Sequence, residues 1–370
     1  MECAGYPLKA DAFGIAAKQG WLDCGSMMAF FARLGLVSLA FGGIVPLASA
    51  ADASSSAPAV LAYYTYDKGV SAALHAHAAY INQVAMDLCS VTDKGVVSGA
   101  VPLNDLAFAR SKGMATFATV SNYAGSDFNA QVAHSILTTP AYTQTFVDGM
   151  LVKLKLGQYR GINIDFESLT ASDRAAFTAF VQTVAQKMKA AGYLTMVSVP
   201  AKQVDDPTNS WDGAFDYQAL GAAADVLQVM TYDENGPWDK PGPVAGLDWV
   251  ELCIKFAVSK VAPGKINMGI PAFGYDWDLA DKAKSKQITW SDFGAKVAAT
   301  RVMTVWDGAS SSPHFAYTDN SQQHVVWGED ARSLGLKVQL VDKYHLAGVS
   351  IYALGMEDER FWKAIREGGF

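Results

Sequence analysis

The chain of 370 residues is 51% apolar and carries a formal net charge of -7, from 29 Lys and Arg against 36 Asp and Glu. That balance, with no basic run anywhere, excludes the clustered cations that nucleic acid or an anionic membrane would demand. The apolar share suffices for one large α/β core rather than two small ones.

The first 50 residues read as a targeting region. Residues 27–33 end in the cation Arg33, residues 34–47 are apolar, and Ala48-Ser49-Ala50 offers the small residues of a signal-peptidase site. The apolar stretch is short for a bilayer and broken by Pro46, so cleavage near Ala50 is expected. The product would be secreted or held in the periplasm or cell envelope. Met27 or Met28 offers an alternative start that would remove Cys3, Trp21 and Cys24. Residues 51–58 form a small-residue linker.

Only Cys89 and Cys253 remain, without CxxC spacing or a neighbouring His pattern, and His75 and His77 lack a third ligand nearby. Metal and dithiol chemistry are therefore not expected, and no cofactor is implied. Two buried free thiols fit the helix-like run around Cys253 and the strand end at Cys89; a disulfide is the alternative.

From residue 59 strand-like and helix-like segments alternate to the C-terminus. Strands are predicted over residues 60–66, 81–89, 114–121, 161–167, 194–201, 226–233, 265–275 and 348–354. Helices fill most of the intervals, as over residues 174–191, where Phe177, Phe180, Val181 and Val184 recur at helical spacing. Eight strands separated by helices over residues 59–370 are what a parallel (β/α)8 TIM barrel needs, with the active site at the C-terminal strand ends. Residues 276–324 are too long for a simple βα connection. They hold short strand-like pieces around Ile288, residues 303–305 and residues 315–317, which predicts a small α+β insertion between strands seven and eight, walling a cleft.

The fourth strand carries the chemistry. Ile162, Asn163, Ile164, Asp165, Phe166 and Glu167 alternate strictly, so the apolar residues face one way and the polar ones the other. A strand buried on both sides that keeps two carboxylates needs a reason, because unpaired buried acids cost several kcal/mol each, roughly. A structural polar cluster and an acid site are the two readings. Nine Trp residues, many beside Gly, Pro and Asp in predicted loops, suit flat sugar faces as well as ordinary core and rim packing.

The segment Gly161 to Glu167 resembles the strand-four signature of glycoside hydrolase family 18, the chitinase family. The likeness extends to Ala133-His134-Ser135-Ile136-Leu137, Val199-Pro200-Ala201-Lys202, Phe215-Asp216-Tyr217, Met230-Thr231-Tyr232-Asp233-Glu234, Gly269 to Trp277 and Gly348 to Gly355. In this order they are similar to the spore-cortex-lytic, germination-type branch. The resemblance implies a chitinase-like glycosidase in which Glu167 is the acid. The substrate's own acetamido oxygen attacks in place of an enzyme nucleophile, Asp165 orients that group, and Tyr232 donates to it. It further implies sugar contacts from Asp233, a tuning role for Asn163, and stacking on Tyr352.

Trp211, Trp238, Tyr275 and Trp277 are candidate sugar platforms. The family often has Asp where Asn163 stands, another acid where Arg160 stands, and Trp where Tyr352 stands, so less leverage on Asp165 and a smaller floor are implied. The implied partner is an N-acetylglucosamine-containing polysaccharide, peptidoglycan before chitin, cut by a monomer. The alternative is a lectin-like barrel, the outcome in this family when the catalytic Glu is lost; here Glu167 is present.

Overall fold

The structure, a computed structural model, describes residues 57–369. The targeting region and residues 51–56 of the linker lie outside the described residues. Eight parallel strands close a barrel: β1 (Ala59–Tyr64), β2 (Gln83–Val91), β3 (Ala115–Ser121), β4 (Gly161–Asp165), β5 (Leu194–Pro200), β6 (Val226–Met230), β7 (Ile266–Pro271) and β8 (Gly348–Tyr352). Each pairs with its sequence neighbours, and β8 returns to β1, so no barrel edge is left unpaired.

Alternation along the strands sorts the core into two layers. Val60, Ala62, Ile162, Ile164, Val197, Val199, Val349 and Ile351 pack outward under the helices, whereas Leu61, Tyr63, Ala85, Phe117 and Met196 plug the barrel. Phe166 continues the outward series just past β4. It stacks on Phe180 at 5.4 Å and meets Phe146 edge-on at 6.0 Å. These rings come from the helices Arg174–Ala190 and Pro140–Gly157. In the first of these, Phe177, Phe180, Val181 and Val184 are all buried, as their spacing predicts.

The strand expected over residues 265–275 is two strands. Pro271 cannot donate to a ladder, and at Ala272 the chain leaves the barrel, with its N–H on Tyr352 O at 2.7 Å. From Phe273–Asp278 it enters a five-stranded antiparallel sheet with Lys286–Thr289, Val305–Asp307, Ser312–Asp319 and Gln322–Trp327, backed by the helix Trp290–Thr300. The insertion is thus wider on both sides than residues 276–324, and the piece expected at 303–305 is strand only from Val305. Tyr275 and Trp277 belong to this sheet rather than to the barrel. Cys89 and Cys253 are both buried free thiols.

Phe166→Ala should lower the unfolding free energy by about 3–5 kcal/mol, the usual cost of emptying a buried aromatic site. Urea unfolding checks this, and a loss below about 1 kcal/mol would contradict the packing described here.

Candidate active site

The polar face of β4 enters the barrel. Asn163 is fully buried, with Nδ2 in donating range of Ser198 Oγ (3.1 Å), Tyr63 Oη (3.2 Å) and Thr119 Oγ1 (3.4 Å). One strand repeat on, Asp165 is buried and its Oδ1 has no hydrogen-bond partner. Glu167 stands two residues past the end of β4. Asn122, buried at the end of β3, clamps its main chain: Glu167 N–H donates to Asn122 Oδ1 at 2.9 Å, and Asn122 Nδ2 donates to Glu167 O at 2.8 Å. No described residue hydrogen-bonds the Glu167 carboxyl.

Burial sets the electrostatics. It pushes Asp165 up to about 6, with the Ser198 hydroxyl opposing. Burial and then the Asp165 charge push Asp87, on β2, up to about 7. Glu167 is pushed well above the usual carboxyl range by burial, reinforced by the charges of Asp165, Asp233, Asp87 and Asp127. The neighbouring carboxylates therefore favour the protonated form of Glu167. Asp87 was not among the sequence-predicted site residues, although a lone acid within Val-Ala-Met-Asp-Leu-Cys is the kind of break in an apolar strand that marks an inward polar position.

An aromatic belt joins the barrel mouth to the insertion. Tyr352, ending β8, lies 5.7 Å from Tyr63, 6.1 Å from Tyr232 and 6.4 Å from Phe273, centroid to centroid. Tyr232 follows β6, and no described residue hydrogen-bonds its hydroxyl. Gly269 on β7 makes room for it, since a Cβ there would meet the Tyr232 ring at 2.8 Å. Asp233, in a left-handed conformation with φ 62°, accepts from Tyr275 Oη at 2.7 Å. Although the residue is solvent-exposed, the protein around its carboxyl raises it to about 6, with that hydrogen bond opposing.

The four proposed platforms divide. Trp211 and Trp238 are 63% and 47% exposed. Trp277 is 1% exposed, donates Nε1 to Gly236 O at 3.1 Å and packs on Tyr275, so it supports the wall and offers no free face. Tyr275 is also buried and acts through its hydroxyl. Both follow from the period of the strand Phe273–Asp278, which turns Phe273, Tyr275 and Trp277 to one packed face. Sequence reasoning also missed Tyr63, Asn122, Ser198 and Phe273, none of which stands out by residue type.

A family model described as "Glycosyl hydrolases family 18" matches residues 59–357. An uncharacterised glycosylase, YvbX, of Bacillus subtilis (strain 168) is 37% identical over 335 residues, covering 90% of this chain and 97% of the relative. The crystal structure of a chitinase from Chromobacterium violaceum ATCC 12472 superposes with a TM-score of 0.81 at 38% identity, covering 84% of this chain and 99% of the other. The spore cortex-lytic enzyme SleL of Bacillus megaterium QM B1551 superposes with a TM-score of 0.78 at 25% identity, covering 84% and 74%.

A carboxyl whose folded value lies above its unfolded value stabilises the fold fully only below the unfolded value, and loses that contribution as pH rises towards the folded one. Asp165, Asp87 and Glu167 share this sign. Stability should therefore decline from about pH 4 to about pH 7. Glu167→Gln, which cannot ionise, should raise Tm by an increment that grows as pH rises above about 5 in scanning calorimetry. An increment that shrinks with pH would contradict the burial of this acid.

Proposed function

The chain belongs to glycosyl hydrolase family 18 and is a glycosidase, and from that premise we propose that it cleaves β-1,4 bonds on the reducing side of N-acetylglucosamine by substrate-assisted retention. The observation that carries this reading is the unpartnered, buried Asp165 Oδ1 two residues from an acid whose protonated form its surroundings favour. A buried carboxylate oxygen without a donor is costly, and an acetamido N–H would satisfy it. The same contact would turn the acetamido oxygen towards the anomeric carbon.

Glu167 gives its proton to the glycosidic oxygen as the acetamido oxygen forms a bond to C1 and the C1–O bond breaks, leaving an oxazolinium ion. Tyr232, whose hydroxyl is free, donates to the acetamido oxygen, and the Asp165 charge offsets the positive charge that develops. Water then adds to C1, its proton goes to the Glu167 carboxylate, and the acetamide is restored with retained configuration. Asp233, held by Tyr275, binds sugar hydroxyls; Tyr352 stacks beneath the scissile sugar, and Trp211 and Trp238 extend the binding face. Asn163, one strand repeat before Asp165, hydrogen-bonds Ser198 and Tyr63.

The substrate we infer is peptidoglycan glycan strands, met after export to the cell envelope by a monomeric enzyme. Similarity to a cortex-lytic enzyme supports this. Similarity to a protein named as a chitinase supports chitin oligomers as the second reading.

Mass spectrometry of products from both polymers, with the chain taken from residue 51, distinguishes the two. New reducing-end N-acetylglucosamine from glycan strands is expected. Glu167→Gln should lower kcat by about 10²–10⁴-fold while glycan binding persists. Equal losses of binding and turnover would remove Glu167 from the acid role, and binding without product from either polymer would replace this function with a lectin's.

A further inference from the structure

Asn163 leaves β4 with one acid fewer than a fully acidic polar face would have, and the barrel places an acid at the same level from another strand. Asp87 on β2 is paired in register with Thr119 on β3, and Thr119 with Asn163 on β4. In parallel strands the members of such a row project from the same side of the sheet. The contacts of Asn163 with Tyr63, Thr119 and Ser198 identify that side as the barrel interior. Directly after Asp87 the ladder slips, so that Cys89 pairs with Val120. Irregularities of this kind re-aim side chains next to active sites.

The groups that feel Asp87 are Tyr63 and Tyr66 from β1 and the turn after it, Cys89 on its own strand, Glu167 past the end of β4, and Tyr352 from β8, while Asp165 acts on Asp87. β3 offers only the neutral Thr119 to this row. No cation figures among the influences on Asp87, and no described residue forms a hydrogen bond or ion pair with it. A carboxylate kept inside a barrel without a partner destabilises the fold, and here its field falls on the general acid.

Resting on the glycosidase reading above, we propose that Asp87 is a positioning residue of this site: its carboxylate, entering from β2 at the level of Asn163, supplies the third negative charge that holds the proton on Glu167. Asp165, Asp233 and Asp127 supply the others. The charge of Asp87 develops only as that group ionises, so its influence is confined to the neutral and alkaline range. Below that range Asp87 is protonated and contributes none, and Glu167 keeps its proton without help.

The test is the pH dependence of kcat/KM on the 4-nitrophenyl glycoside of N,N′-diacetylchitobiose, comparing the wild-type chain, Asp87→Asn and Asp87→Asn/Asn163→Asp. At about pH 5 Asp87→Asn should retain wild-type activity, because one neutral group replaces another. Its alkaline limb should move about one unit lower, roughly a tenfold loss above the limb. Returning an acid to β4 in the double variant should move the limb back. Asp87→Ser gives the same shift and covers the case in which Asn is not tolerated.

Carboxyl ¹³C NMR of Glu167 in the wild type and Asp87→Asn reads the same change without turnover. A lower midpoint in the variant supports the inference even where no glycan is cut, an outcome that would remove only the functional reading. An unmoved Glu167 midpoint, or a loss of activity equal at every pH, would overturn it.

Discussion

An acid that must stay protonated near neutral pH has to be surrounded by groups that make its ionisation costly, and a closed barrel provides them at its C-terminal mouth. Burial alone raises Glu167, but it raises Asp165 and Asp87 as well, so burial cannot by itself separate their roles. The order of ionisation comes from position. Asp165 has Ser198 to stabilise its charge, whereas the Glu167 carboxyl has no such donor and feels the charges of its neighbours. Once Asp165 is charged, the next proton is harder to remove, and the hardest to remove is the one the reaction requires.

This arrangement is costly, and the apolar half of the same strand offsets it. Ile162, Ile164 and Phe166 place one side of β4 and its extension into the largest packed cluster of the molecule. The register that buries these residues is the register that forces Asn163 and Asp165 inward. Asn122 then fixes the backbone of Glu167 from the neighbouring strand, where the ladder has ended and β4 no longer constrains it.

The insertion obeys the same period-two logic. While Phe273, Tyr275 and Trp277 face the barrel mouth, Asp276 between them faces the opposite side. There it is 1% exposed and is met by His324 Nδ1 at 2.9 Å, Tyr317 Oη at 2.7 Å and Lys296 Nζ at 3.0 Å. Those contacts bind the strand to its sheet and to the helix Trp290–Thr300, so Tyr275 reaches Asp233 from a fixed support. The wall is held from behind.

The barrel was legible because its strands are long, apolar and spaced by helices, and β4 because alternation with two acids has few explanations. What escaped was of three kinds. Pro271 and Ala272 divide a continuous apolar run, and periodicity cannot see that a chain changes partners when every residue on both sides is buried. Trp277 illustrates the second kind: its residue type suits a sugar platform, but only three-dimensional packing shows that the ring is covered by the segment around Gly236.

Asp87 escaped for a third reason: its significance depends on a register across three strands that no local pattern contains. A signature confined to one strand counts acids along the chain, whereas Glu167 responds to nearby charge whatever strand supplies it. With Asn163 neutral on β4 and Asp87 charged two strands away, the electrostatic demand of the reaction can be met by a set of residues that a linear motif divides.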